Sequence, residues 1–133
     1  MNRLVRWVPV LIYMGAIFLL SADSDPPAPP AVSDKTLHLI AYAGLAVLVF
    51  RAVAGGAAAR MTARAAALTL LITTAYGASD ELHQMFVPGR SPELYDLFAD
   101  AVGGALGLIA CWAWAIIRPA RPESRLPDPN SQR

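Results

Sequence analysis

Charge is almost absent from four long stretches of this chain: Leu4–Leu20, Leu37–Val53, Ala65–Val87 and Leu94–Ile117. A helix needs about 20 apolar residues, with a range near 17–25, to cross a bilayer core. With 133 residues, 56% of them apolar and 16% charged, a water-soluble fold could not bury four such helices. The expectation is an all-α integral membrane bundle of four transmembrane helices spanning residues 1–118. Residues 119–133 hold four prolines and are expected to form a disordered cytoplasmic tail. Net charge is +1, which offers no electrostatic footprint for nucleic acid. The single cysteine, Cys111, makes neither an internal disulfide nor a zinc site alone.

The first apolar window follows Arg3 and Arg6, as a secretion signal would. Its end, Leu20-Ser21-Ala22-Asp23, lacks a small-x-small cleavage pattern, so the segment is read as a retained helix. Pro26-Pro27 and Pro29-Pro30 predict an extended loop, and Asp34 is the expected cap of the second helix. Gly55-Gly56 ends that helix, and Pro88-Gly89 turns the third into the fourth. With both termini in the cytoplasm, nine of the eleven basic residues lie on the cytoplasmic side, leaving Lys35 and Arg90 outside. The positive-inside bias therefore predicts that orientation.

Acids follow the opposite pattern. Eight of ten fall in the outer loops or outer helix halves. Helical spacing puts Lys35, His38 and Tyr42 on one stripe, with Asp34 a turn before. Tyr76, Asp80, His83 and Gln84 form a second stripe, with Glu81 turned partly aside. Asp96, Asp100, Gly103 and Gly107 share a face of the fourth helix. At 1.5 Å per residue, His38 lies about 6 Å inside Asp34, while Asp80 and Asp96 lie about 10–12 Å from the Pro88-Gly89 turn. The stripes are predicted to meet in one pocket. Ionisable groups at that depth cost about 2.5–3.5 kcal/mol each, so they need a purpose or mutual pairing. Plainer roles compete: helix capping for Asp34, snorkelling for Lys35, and close helix packing for Gly103 and Gly107.

These residues carry a family resemblance. Trp7-x-Pro9 with Ile17-Phe18-Leu19-Leu20-Ser21, Asp34-Lys35-x-x-His38-x-x-x-Tyr42, and the run Ser79-Asp80-Glu81-Leu82-His83-Gln84-Met85-Phe86-Val87-Pro88-Gly89-Arg90-Ser91, followed by Asp96 and Gly103, resemble the VanZ-like family of small bacterial membrane proteins. The resemblance covers about residues 7 to 112. It departs at Asp100, where many members carry Asn. It implies a multi-pass envelope protein, and the family's namesake is linked to resistance to the glycopeptide teicoplanin. Carried over residue by residue, the motif marks Asp34, Lys35, His38, Tyr42, Asp80, Glu81, Gln84, Arg90 and Asp96.

Three function classes remain open. In an envelope-modifying enzyme, Asp80 or Glu81 acts as general base and His38 as acid or proton relay. Lys35 and Arg90 then grip an anionic group of an envelope glycolipid or lipid-linked precursor. In a binding module, the same groups recognise an amphiphile or headgroup without chemistry. A proton-coupled carrier is less suited to four helices without an inverted repeat. Asp80-x-x-His83, completed by Asp96 or His38, has a metal-ligand spacing, but no second His/Cys pair supports it. No metal and no cofactor is assigned. Membrane lipids are the expected surroundings, and Gly103 and Gly107 are candidates for a seam between two copies.

Overall fold

The computed structural model describes residues 3–24, 32–56 and 60–117. The proline loop at 26–30 and the tail 119–133 lie outside the described residues. A 3-10 turn, Leu4–Arg6, leads into α1 (Val8–Ser21), with Pro9 in the first turn, where its missing N–H costs least. Then follow α2 (Asp34–Ala54), α3 (Ala63–Gln84) and α4 (Leu94–Ile117). All regular structure among the described residues is helical.

The helix ends have local causes. Ser33, rather than Asp34, caps α2: its hydroxyl accepts from the Thr36 N–H at 3.3 Å. Asp34 is thereby moved into the first turn, which frees its carboxylate for another partner. Gly55, in the left-handed region, closes α2. Thr62 caps α3 through the Ala65 N–H at 3.1 Å. The chain leaves α3 at Gln84, three residues before the end of the apolar window, because Pro88 and Gly89 impose a turn. Arg90 N–H donates to the Val87 carbonyl at 3.1 Å around Gly89, whose φ is +82°. That turn places Arg90 over the bundle end.

Among the described residues, three segments are long and apolar enough to cross a membrane: Leu4–Ser21, Asp34–Ala54 and Leu94–Ile117. Here the structure departs from the expected count of four. α3 has 22 residues, long enough in itself, but Arg64, Asp80, Glu81, His83 and Gln84 lower its apolarity. Three of these polar groups, Asp80, Glu81 and Gln84, belong to the site.

α2 and α4 run parallel and touch closely. A Cβ on Gly103 would collide with the Leu39 carbonyl oxygen, and one on Gly107 with that of Ala43. Both glycines are buried against α2 of the same chain. Their small size therefore serves packing within the chain. α1 packs on α2 through Val10, Ile17, Tyr42, Leu45 and Val49. Phe50, Ala65 and Leu108 join α2, α3 and α4 at the opposite end.

The distribution of polarity is inverted relative to a water-soluble protein. His38, Thr69, Thr73, Asp80, Glu81, Gln84, Asp96 and Asp100 are buried, while Leu11, Ile12, Leu19, Leu71, Leu82, Ile109, Trp112 and Ile116 are exposed. Thr69 and Thr73 satisfy themselves by donating one turn back, to Ala65 O at 2.8 Å and Thr69 O at 2.9 Å. Large apolar side chains outside and paired polar groups inside are what a lipid solvent demands. The chain is a membrane protein.

Candidate functional site

The parallel register of α2 and α4 turns two sequence stripes into a ladder. Lys35 Nζ lies 2.8 Å from Glu93 Oε2 and 3.5 Å from Asp96 Oδ1. One turn deeper, His38 Nδ1 lies 2.9 Å from Asp100 Oδ1. Each step of three along α2 is met by a step of three or four along the chain into α4, so successive pairs stay level. Lys35 also holds the Glu93 carboxyl below the usual carboxylate range, through a hydrogen bond and its positive charge.

Above the ladder, Arg90 ties three segments together. Its Nε donates to the Asp23 carbonyl at 3.2 Å and its Nη1 to Asp34 Oδ2 at 3.3 Å. The guanidinium fork thus joins the end of α1, the start of α2 and the α3–α4 turn.

α3 contributes two adjacent acids with different partners. Asp80 Oδ2 accepts from Ser21 Oγ at 2.8 Å and from Gln84 Nε2 at 3.2 Å, which anchors α3 to α1. Glu81 Oε2 accepts the Glu93 backbone N–H at 2.9 Å, fixing the approach to α4. Tyr76 supports the same pair of helices by donating to the Met14 carbonyl at 2.6 Å. His83 takes another direction. Its ring stacks on Phe18 with centroids 4.1 Å apart. His83 consequently stands outside the cluster, and the Asp80-x-x-His83 pairing is not among the metal-compatible groups of the described residues.

Beside this network lies a cavity of about 260 Å³. Ile17, Leu20, Leu37 and Ile40 give it apolar walls, while Ser21, Asp34, His38, Asp80 and Arg90 give it a polar end. Its lining also includes Tyr42, 1% exposed, whose ring lies parallel to that of His38 at 6.2 Å. Several buried oxygens have no hydrogen-bond partner: Tyr42 Oη and Asp80 Oδ1 on residues that line the cavity, and Glu81 Oε1 and Asp100 Oδ2 on residues that do not. The local charge is strongly acidic, with Asp34, Asp80, Glu81, Glu93, Asp96 and Asp100 facing Lys35, Arg90 and His38. Two groups of three have ligating atoms all within 4.8 Å of one another: Asp34, His38 and Asp96, and His38, Glu81 and Asp100.

The residues singled out in the sequence, Asp34, Lys35, His38, Tyr42, Asp80, Glu81, Gln84, Arg90 and Asp96, are thus gathered at one end of the bundle. Three contributors were not marked as site residues from the sequence. Asp100 is fully buried and is the partner of His38. Its place four residues after Asp96 on the same stripe was the available signal. Ser21 closes α1 and reaches Asp80, a contact across 59 residues that no local pattern announces. Glu93 serves twice, through its side chain to Lys35 and its N–H to Glu81, from a loop position without helical periodicity.

Comparison with known protein families gives a match to the one described as VanZ/LLP1 over residues 5–117. No curated protein and no solved structure shows a significant match to the chain. The matched region contains all four helices and every residue of the polar cluster. The chain belongs to the VanZ/LLP1 family.

Proposed function

We propose that this VanZ-family membrane protein binds an amphiphilic glycolipid of the bacterial envelope, with the headgroup in the acidic end of the cavity and the acyl part along its apolar wall. One observation carries this reading. The cavity leads from Ile17, Leu20, Leu37 and Ile40 to Asp34, His38 and Asp80, and at least one buried carboxylate oxygen there, Asp80 Oδ1, has no donor. Buried unpaired acceptors favour a ligand that brings hydrogen-bond donors, such as sugar hydroxyls or an ammonium group. The acid excess disfavours a bare phosphate.

Orientation supports an envelope-facing site. Arg51, Arg60 and Arg64 cluster at or near the α2–α3 connection, the end opposite to Lys35 and Arg90. The positive-inside bias puts that end in the cytoplasm and the polar cluster on the outer side of the inner membrane. α3 joins that end to the Arg90 end, as α2 and α4 do, so it serves as the fourth span. Its acids are sheltered by α1, α2 and α4 rather than by lipid. A role in glycopeptide susceptibility would follow from altered presentation of such a glycolipid at the surface.

A second reading, chemical modification of the same ligand, is favoured by the His38–Asp100 pair. A buried carboxylate that orients an imidazole is an arrangement suited to proton transfer, with Asp80 or Glu81 as the nearby base.

Purified protein in phosphatidylglycerol nanodiscs tests the binding reading. Octyl glucosaminide should raise the melting temperature in a saturable way, and octyl phosphate should not. Asp80→Asn should weaken the octyl glucosaminide affinity about tenfold, the scale of one lost charge-assisted hydrogen bond. Equal binding of octyl phosphate, or a shift unchanged in Asp80→Asn, would overturn it.

A further inference from the structure

We infer that His38, Glu81 and Asp100 form a binding site for a first-row divalent cation, Zn²⁺ or Mn²⁺, at the inner end of the cluster. The three come from α2, α3 and α4, so the site exists only in the folded bundle. Their ligating atoms lie within 4.8 Å of one another. Metal–ligand bonds of about 2.0–2.2 Å put the ligand atoms of a tetrahedral ion about 3.4 Å apart, so small side-chain adjustments bring all three onto one ion and leave a position for water.

Burial is the second, independent reason. Asp100 is 0% exposed, and Glu81 and His38 are each 8% exposed. Asp100 Oδ2 and Glu81 Oε1 are both buried without a partner, and so is the Tyr42 hydroxyl one turn beyond His38. A closed structural lock would pair these atoms, because an unpartnered buried carboxylate oxygen is expensive. The neighbouring cations are already committed elsewhere. Lys35 pairs with Glu93 and Asp96, and Arg90 with Asp34 and the Asp23 carbonyl. Among the described residues, no ammonium or guanidinium pairs with Glu81 or Asp100.

Donor chemistry selects the ion. One imidazole nitrogen with two carboxylates suits Zn²⁺ or Mn²⁺, whereas Mg²⁺ and Ca²⁺ favour all-oxygen shells. Two carboxylates also neutralise the dication. The alternative group, Asp34, His38 and Asp96, shares His38, but its two acids are held by Arg90 and Lys35. The inner group is therefore the site. The site shares His38 with the cavity, while Glu81 and Asp100 do not line it.

The test uses full-length protein purified with EDTA, exchanged into chelator-free nanodiscs, and titrated with each metal chloride alone. Zn²⁺ or Mn²⁺ should bind at one per chain and raise the melting temperature, with Mg²⁺ and Ca²⁺ at least tenfold weaker. Co²⁺ in the same site should show visible absorption bands. Glu81→Gln and Asp100→Asn, which keep side-chain shape, should each weaken binding at least tenfold. Their apo melting temperatures should hold or rise, because each removes a buried unpaired oxygen charge. His83→Gln, which alters the Phe18 stack, should bind as the parent does. Absence of saturable Zn²⁺ or Mn²⁺ binding, or affinity unchanged in both acid variants, would overturn the site, as would loss of binding in His83→Gln alone. Titration of octyl glucosaminide in EDTA reports on the glycolipid reading separately.

Discussion

Ser21 illustrates how one hydroxyl can determine the depth of a site. It is buried at the end of α1, 2.8 Å from Asp80 Oδ2 and 2.9 Å from the Ile17 carbonyl. Without it, Asp80 Oδ2 keeps only the Gln84 amide as a donor. Ser21→Ala should therefore cost about 1–3 kcal/mol, the scale of a lost hydrogen bond to a charged buried group. Ser79→Ala is the matched comparison, because Ser79 is exposed and bonds only the carbonyl one turn back, at Tyr76. Thermal unfolding in nanodiscs should separate the two, with Ser79→Ala close to the parent. A comparable loss in both would show that Ser21 has no special part in holding Asp80. Asp34 teaches a related lesson. The residue looks like a helix cap, yet Ser33 takes that task and Asp34 receives Arg90. One residue of register decides between a local and a long-range role.

At the scale of helices, α4 is decided by its small face. Gly103 and Gly107 bring its backbone against the Leu39 and Ala43 carbonyls of α2, and that closeness lets short carboxylates such as Asp100 reach His38. Gly103→Ala should destabilise the bundle by about 1–3 kcal/mol, because the obstacle is backbone and cannot swing aside. Gly15→Ala, on α1, meets nothing within 4 Å. It should be neutral or stabilising by up to about 1 kcal/mol, since alanine loses less backbone entropy in a helix. Unfolding of the two variants side by side checks the contrast. If Gly103→Ala is neutral, α2 and α4 are not held as closely as described. α3 shows the converse arrangement. Its Thr69, Thr73 and Gly77 face inward at one-turn spacing, with Glu81 next, so its buried side is small and polar throughout. A search for apolar length misses such a helix because its polarity is directed inward.

For the whole molecule, the inverted distribution of polar and apolar side chains fits a lipid surrounding. Apolar side chains cover the outside, and acids collect at one end. A labelling experiment tests the proposed orientation. In a Cys111→Ala background, Ser91→Cys should react with a membrane-impermeant maleimide in intact cells. Thr62→Cys should react only after permeabilisation. The reverse pattern would put the polar cluster in the cytoplasm and end its assignment to the envelope face.

Much of this arrangement was legible before any coordinates. Apolar length specified α1, α2 and α4, because a bilayer tolerates only segments that satisfy their own backbone. Helical periodicity collected Lys35, His38, Asp80 and Asp96 into stripes, because spacings of three and four are dictated by the helix itself. Three-dimensional packing decided which stripes meet. It paired Lys35 with Glu93 and His38 with Asp100, sent His83 to Phe18, and turned two glycines toward α2. Those outcomes depend on helix rotation and separation, set by contacts between residues far apart in the chain, and periodicity within one helix carries no record of them.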